Sequence, residues 1–179
     1  ILCLVDVTDR IKARTELQEV QENFRLVTEN MEDLFWISTP GLKEMIYINQ
    51  ACERVWGKSR QSLYEDPKSF LDMIHPEDKE RVRAGIKEHK DGEWAFEYRI
   101  VRRDGSVRWI HDRGFPLRDE GGKLKLISGI ASDITERKTM EEEIGHYVEE
   151  LERSNKELED FAYISSHDLQ EPLRKIQTF

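Results

Sequence analysis

The chain has 179 residues, 36% of them charged, and a formal net charge of −9. That length fits one domain of ordinary size with helical extensions, and the acidic balance disfavours a nucleic-acid partner because like charge repels a phosphate backbone. The longest apolar run, Ile1 to Val5, falls far short of the roughly 20 residues a membrane helix needs, so the sequence predicts a soluble, cytoplasmic piece.

No signal-peptide pattern opens the chain, and Cys3 and Cys52 are too few for a disulfide framework, which points to a reducing setting. Arg99, Arg102, Arg103, Arg108 and Arg113 are interspersed with acids, the pattern of a solvated sheet face rather than a binding stripe. The start at Ile1 and the end inside a helical pattern read as a fragment whose parent could be membrane-anchored.

In chain order, the first feature is half of an internal repeat. Leu4-Val5-Asp6-Val7-Thr8-Asp9-Arg10 returns as Ala131-Ser132-Asp133-Ile134-Thr135-Glu136-Arg137, one domain and a linker later. Each copy is an apolar strand ending in Asp-x-Thr-acid-Arg and followed by a charged helical pattern. Residues 1–10 are therefore read as the end of a preceding domain of the same kind, its strand remnant orphaned. Residues 11–28 are read as a linker helix with apolar positions Ile11, Leu17, Val20, Phe24 and Val27. In the second copy Asp133 suits a helix N-cap, with Glu136 three residues on in the capping-box position.

The segment 29–137 alternates strands with a helical middle. Leu34 to Ser38 and Met45 to Ile48 are apolar or β-branched runs separated by the turn signal Thr39-Pro40-Gly41. Gln50 to Trp56, Arg60 to Tyr64 and Lys68 to Ile74 read as short helices. Pro76 opens a longer one reaching about His89, with Glu77 and Asp78 in the first turn where the helix dipole favours acids.

Trp94, Phe96, Tyr98 and Ile100 alternate with polar or smaller residues at the period of a strand. Asp104-Gly105 is a hairpin signal before Val107 to Phe115, and Gly121-Gly122 precedes Leu124 to Ile134, where Leu124, Leu126, Ile130 and Ile134 are expected to share a face. Strand, strand, helices, three strands implies an α+β fold with an antiparallel sheet and helices on one side.

Four runs taken together resemble a PAS sensory domain with its C-terminal motif: Ile74-His75-Pro76-Glu77-Asp78, Phe96 to Ile100, Arg103 to Ile110, and Gly129 to Arg137. The resemblance covers about residues 24 to 137. It implies a five-stranded antiparallel sheet in which the outer strands of the sequence pair centrally, and a small pocket between sheet and helices. A haem-binding relative would need an inward histidine, for which His75 and His89 are the candidates. His75 is read as helix start and His89 as part of a charged helix end. Cys52 lacks the surroundings of a photochemical flavin cysteine and reads as a small buried residue. Phe35, Trp36, Trp56, Trp94, Phe96 and Trp109 are either a cavity lining or core. No cofactor is predicted and the PAS ligand is left unknown.

From Thr135 to His167 good helix formers prevail, with no proline and Gly145 the one breaker, and the helix could run about 65 Å at 1.5 Å per residue. Residues 138–160 read as a signalling coiled-coil helix, with Ile144, Leu151, Leu158 and Ser165 at every seventh position and Tyr147, Ser154 and Phe161 as the companion file. The polar members make the seam weak, as a helix that shifts between two packings requires.

Residues 161–179 place His167, Asp168 and Pro172 on one helix. A neutral imidazole is a nucleophile, an adjacent carboxylate can take the proton of its other nitrogen, and a proline leaves the Asp168 carbonyl without its helical donor so that the helix can bend. The apolar stripe Ala162, Leu169, Leu173 and Ile176 leaves His167 on the opposite, solvent side.

His167-Asp168-Leu169-Gln170-Glu171-Pro172-Leu173 is similar to the H-box of sensor histidine kinases, so 161–179 reads as the truncated start of a dimerisation and phosphoacceptor domain. That resemblance implies His167 as phosphoacceptor from ATP, Asp168 as general base and Pro172 as the helix bend. Its partners would be a second copy of the chain joined through the C-terminal helix, a response-regulator receiver domain and the kinase's own ATP-binding domain. Glu171 stands where Thr or Asn is usual in kinases that are also phosphatases, which puts phosphatase activity in doubt. ATP and Mg²⁺ would be held in the ATP-binding domain, so the fragment alone is expected to be inactive. The competing reading is a non-catalytic PAS module for ligand binding or dimerisation, coupled to another output such as nucleotide cyclisation.

Overall fold

The computed structural model describes residues 2–88 and 93–176, with side chains described for 10–88 and 93–163. The chain divides into two units, residues 1–135 and 136–179. The first begins with helix α1 (Leu2–Glu29) and continues through strands β1 (Leu34–Ser38) and β2 (Met45–Ile48). Helices α2 (Ala51–Val55) and α3 (Arg60–Glu65), a 3-10 turn (Ser69–Met73) and helix α4 (Pro76–Glu88) follow, then strands β3 (Trp94–Val101), β4 (Val107–Arg118) and β5 (Leu124–Asp133). The five strands form one antiparallel sheet in the order β2-β1-β5-β4-β3, so the first and last strands of the sequence pair centrally, as the resemblance implied. The N-terminal strand remnant is not observed, because α1 already runs from Leu2.

One face of the sheet carries Leu34, Trp36, Ile127, Ala131, Ile110, Tyr98 and Ile100, all buried. Cross-strand partners on that face include two glycines, Gly114 and Gly129, which pair with each other, with Trp94 opposite Gly114 and Trp36 opposite Gly129. A Cβ on Gly129 would lie 2.3 Å from the Trp36 ring, and one on Gly114 would lie 2.2 Å from Trp94. The two indoles occupy the space the glycines vacate and stack with centroids 6.1 Å apart. Gly85 on α4 does the same for the Phe96 ring, whose nearest atom would be 2.4 Å from an added Cβ.

The register puts Leu126 and Ile130 on one face of β5, as expected, and makes that the outer face. Ile127, Gly129 and Ala131 face the core, whereas Leu126 and Ile130 lie half-buried on the other side. A register shift between Leu117 and Arg118, which pair with Leu126 and Leu124, breaks the alternation and returns Leu124 to the core cluster. The apolar pattern alone does not tell which face is inward, because the central inward position is Gly129, which has no side chain to read.

Two polar networks fix the outer elements. Asn49, fully buried, donates from Nδ2 to the carbonyls of Thr28 (2.8 Å) and Asp33 (3.0 Å) and accepts at Oδ1 from the Phe35 amide (3.0 Å), tying the end of α1 to β1 and β2. Phe24 of α1 packs edge-on against Phe35 and Tyr47 on the outer face of the sheet. At the other edge Asp78 accepts from the Arg99 backbone amide (2.8 Å) and from its Nε (2.9 Å), and Glu77 takes the Arg99 Nη2 at 2.8 Å. The Arg99 guanidinium beside it holds the Asp78 carboxyl down at about 2. The acids of the first turn of α4 thus clamp that helix to β3 as well as meeting the helix dipole.

Between β1 and β2 the loop is closed by Thr39 and Glu44, with Thr39 N–H to Glu44 O at 3.0 Å and Glu44 N–H to Thr39 Oγ1 at 3.0 Å. Inside it Gly41 (φ 77°) and Leu42 (φ 53°) are both left-handed. For a leucine this backbone costs about 1–2 kcal/mol, yet the Leu42 side chain is buried against the core.

The second unit carries helix α5, which begins at Thr135 and runs to Ile176, 42 residues or about 63 Å. None of the described helices is long and apolar enough to cross a membrane.

The glycine–tryptophan pairing generates a prediction. Gly129→Ala should destabilise the fold by about 1–3 kcal/mol through overpacking, read as a lowered urea midpoint, and pairing it with Trp36→Phe should recover part of the loss. An unchanged midpoint in the single variant would show that the indole is free to move aside.

Candidate functional site

Between the sheet and the helices lies a small interior void of about 10 Å³, at the lower limit of what one water molecule needs. Trp36, Trp56, Trp94 and Asp112 line it, with Leu42 and Ile86 closing the side toward the β1–β2 loop and α4. Trp56 of α2 is held flat against Phe70, ring centroids 4.8 Å apart and planes 7° from parallel. Of the six aromatics singled out in the sequence, Trp36, Trp56 and Trp94 line the void and Phe96 packs on Gly85. Phe35 lies on the outer face, and Trp109 sits under the Arg99 guanidinium at 5.4 Å.

Asp112 is the chemical centre of this interior. It is 5% exposed, sits on β4 opposite Phe96 and Ala131, and accepts a hydrogen bond from the Tyr98 hydroxyl at 3.2 Å. Its second oxygen, Oδ1, has no hydrogen-bond partner among the described residues, nor do the indole nitrogens of Trp36 and Trp56. The Trp36 N–H faces the Asp112 carboxyl, but outside hydrogen-bonding geometry. Burial pushes the Asp112 carboxyl up to about 7, and burial beside that carboxyl pushes the Tyr98 phenol well above its usual range. Sequence reasoning missed this residue because an Asp within a strand reads as a solvent-facing position. The signal that could have found it is phase: Asp112 falls on the same strand face as Ile110 and Gly114, both buried.

His75 immediately precedes α4, where its Nδ1 accepts from the Glu77 amide at 3.4 Å, and it is not among the residues lining the void. His89, the other sequence candidate, lies outside the described residues. Cys52 is buried on α2 and desolvation pushes its thiol up to about 11, which makes it inert.

The strand-to-helix junction at the end of β5 is tightly bonded. Asp133 Oδ1 accepts from the Thr135 amide (3.0 Å) and from its hydroxyl (2.5 Å), and Thr135 Oγ1 accepts from the Trp109 amide (2.9 Å). The Ile134 amide donates to the Trp109 carbonyl at 2.8 Å. Arg102 reaches Asp133 at 3.6 Å and also donates to the carbonyls of Arg54 and Val55. Asp133 therefore caps the start of α5, as the repeat predicted, and the cap is wired to β4 and α2.

On α5 itself Ile144, Tyr147, Leu151, Leu158 and Phe161 are all exposed, an apolar file at the predicted spacing. His167, Asp168, Glu171 and Pro172 fall on the helical stretch, but their side chains lie outside those described, as does the expected solvent-facing orientation of His167.

Comparison with known proteins gives the fold its family. Residues 45–131 match the model described as PAS fold. A sensory box histidine kinase/response regulator structure from Burkholderia thailandensis is 31% identical with a TM-score of 0.54, the match covering 73% of this chain and 98% of that one. This chain belongs to the PAS family.

Among curated proteins, this PAS chain is 39% identical over 87 residues to the methyl sulfide methyltransferase-associated sensor of Methanosarcina acetivorans, covering 47% of the chain and 9% of that protein. It is 28% identical over 152 residues to the blue-light-activated histidine kinase of Brucella ovis, covering 76% of the chain and 29% of that protein. The chain thus spans less than a third of the length of either. It carries a PAS sensory domain related to those of histidine kinase sensors.

The buried carboxyl of the PAS core gives a pH dependence of definite sign. Its folded value of about 7 lies above the ordinary 3.8, so the folded state holds a proton that the unfolded chain has lost between these values. Stability should therefore fall as pH rises from about 4 to 7, by a total on the order of 4 kcal/mol. Asp112→Asn keeps the shape and removes the titration. Thermal melts should show the variant more stable than the parent at pH 8 and similar at pH 4; a difference of the same size at both pH values would contradict the assignment.

Proposed function

We propose that this chain is the signal-input PAS domain and the first part of the phosphoacceptor helix of a sensor histidine kinase. The observation that carries the reading is continuity. Helix α5 starts at the Asp133–Thr135 cap, which is bonded to β4 and, through Arg102, to α2, and it runs unbroken through position 167 to Ile176. A change in the PAS interior that shifts β4 or β5 acts on the first turn of the helix that bears the H-box sequence. The relatedness to histidine kinase sensors supports the same output.

In this reading a neutral ring nitrogen of His167 attacks the γ-phosphorus of ATP. The bond from that phosphorus to the bridging oxygen of the β-phosphate breaks, and ADP leaves. Asp168 takes the proton of the other ring nitrogen as positive charge develops on the imidazole. Pro172, which lacks an amide hydrogen, leaves the Asp168 carbonyl free of a helical donor and lets the helix bend beside the reactive ring. The phosphoryl group then passes to an aspartate of a response-regulator receiver domain, and Glu171 leaves no amide or hydroxyl at the usual phosphatase position. The exposed file Ile144, Leu151 and Leu158 is covered by α5 of a second copy, which makes the acceptor helices a pair.

The test uses this chain with radiolabelled ATP, Mg²⁺ and the separately produced ATP-binding domain of a histidine kinase. The chain should acquire an acid-labile, base-stable phosphoryl group, and none when that domain is left out. His167→Gln should abolish labelling, and Asp168→Asn should slow it by about a hundredfold. Labelling that survives His167→Gln would sink the site.

A further inference from the structure

A second concavity lies directly outside the interior void. It is an open groove of about 300 Å³ between the β1–β2 loop and α4, the size at which small-molecule sites begin. Its floor is apolar, made by Leu42, Leu71 and Ile86, and its rim carries three cations, Lys68, Arg83 and Lys87. Lys68 and Lys87 form no ion pair among the described residues, and Arg83 meets only the exposed Glu80, at 3.7 Å on the same helix. Three positive charges thus ring an apolar floor in a chain whose net charge is −9.

The groove and the void share two residues. Leu42 and Ile86 line both, so one wall of side chains separates the outer groove from the tryptophans and Asp112 within. Leu42 is also the described non-glycine residue with positive φ, held left-handed beside left-handed Gly41 by a turn in which its amide donates to the Thr39 carbonyl at 3.1 Å, inside a loop whose base is closed by Thr39 and Glu44. Backbone strain of this kind persists only where the surrounding structure holds it, and it concentrates at ligand clamps and switch regions.

We propose that this groove binds a small amphipathic anion, an apolar chain or ring ending in a single carboxylate or sulfonate, and that Leu42 registers its arrival. The apolar part lies on Leu42, Leu71 and Ile86, and the anionic end is met by Lys68, Arg83 and Lys87. Contact with Leu42 and Ile86 presses on the same side chains that bound the void, so occupancy of the groove reaches the interior without the ligand entering it. The site stands whether or not His167 accepts phosphate.

Isothermal titration of the intact chain with octanoate, taken to its solubility limit, tests this against octanol as the uncharged counterpart. Octanoate should bind saturably at one site, with octanol at least tenfold weaker. The triple variant K68Q/R83Q/K87Q, checked for an unchanged melting temperature, should lose at least tenfold in octanoate affinity while its binding of octanol stays the same. Leu71→Ser should weaken both ligands. Equal affinity for octanoate and octanol, or octanoate binding untouched by the triple variant, would overturn the proposal. So would an absence of saturable heat, or capture of the chain by phosphatidylglycerol vesicles with no response to monomeric octanoate, which would make the patch a membrane contact instead.

Discussion

The architecture rests on the fit of two indoles over two glycines. Gly114 and Gly129 leave a trough across the middle of the sheet, and Trp36 and Trp94 lie in it, stacked on each other. Interiors are packed like molecular crystals, so large rings beside the sheet require positions with nothing on them. Everything above the trough follows from that fit: the void is small because the indoles fill most of the space, and the helical layer sits where Phe96 can enter over Gly85.

Around this apolar packing two carboxylates are placed in opposite electrostatic situations. Asp78, at the surface edge, is surrounded by Arg99 donors and remains charged under all ordinary conditions, acting as a fastener between α4 and β3. Asp112, in the interior, has one phenol for a hydrogen-bond partner and no cation beside it among the described residues, so its neutral form is favoured. The first is a structural ion pair. The second is a polar group kept where an apolar residue would pack at lower cost, which is the mark of a position held for function rather than stability.

Much of this organisation was legible in the residues themselves. Strand boundaries at Leu34, Met45, Trp94 and Val107 follow from alternation and turn chemistry, and the start of α4 at Pro76 follows from the fixed φ of proline with acids behind it. The Asp133 cap was visible as half of a repeat. The inward face of β5 was not, because its central position is a glycine whose role depends on a tryptophan almost a hundred residues earlier. Asp112 and Asn49 were also invisible: both are polar residues inside a core, and only the tertiary partners Tyr98, Thr28 and Phe35 explain them. Leu42 escaped for the same reason, since nothing about a leucine after a glycine announces a left-handed backbone. The run His167 to Leu173 is the reverse case, since its resemblance to an H-box stands in the sequence alone.

The placement of the tryptophans has an optical consequence. Three of the four indoles border one enclosed space beside a titrating carboxyl, and the fourth is fixed under a guanidinium on the opposite side of the sheet. Three of the molecule's four indole emitters therefore share a single microenvironment, so that a change in the interior should register in the native ultraviolet emission without any label.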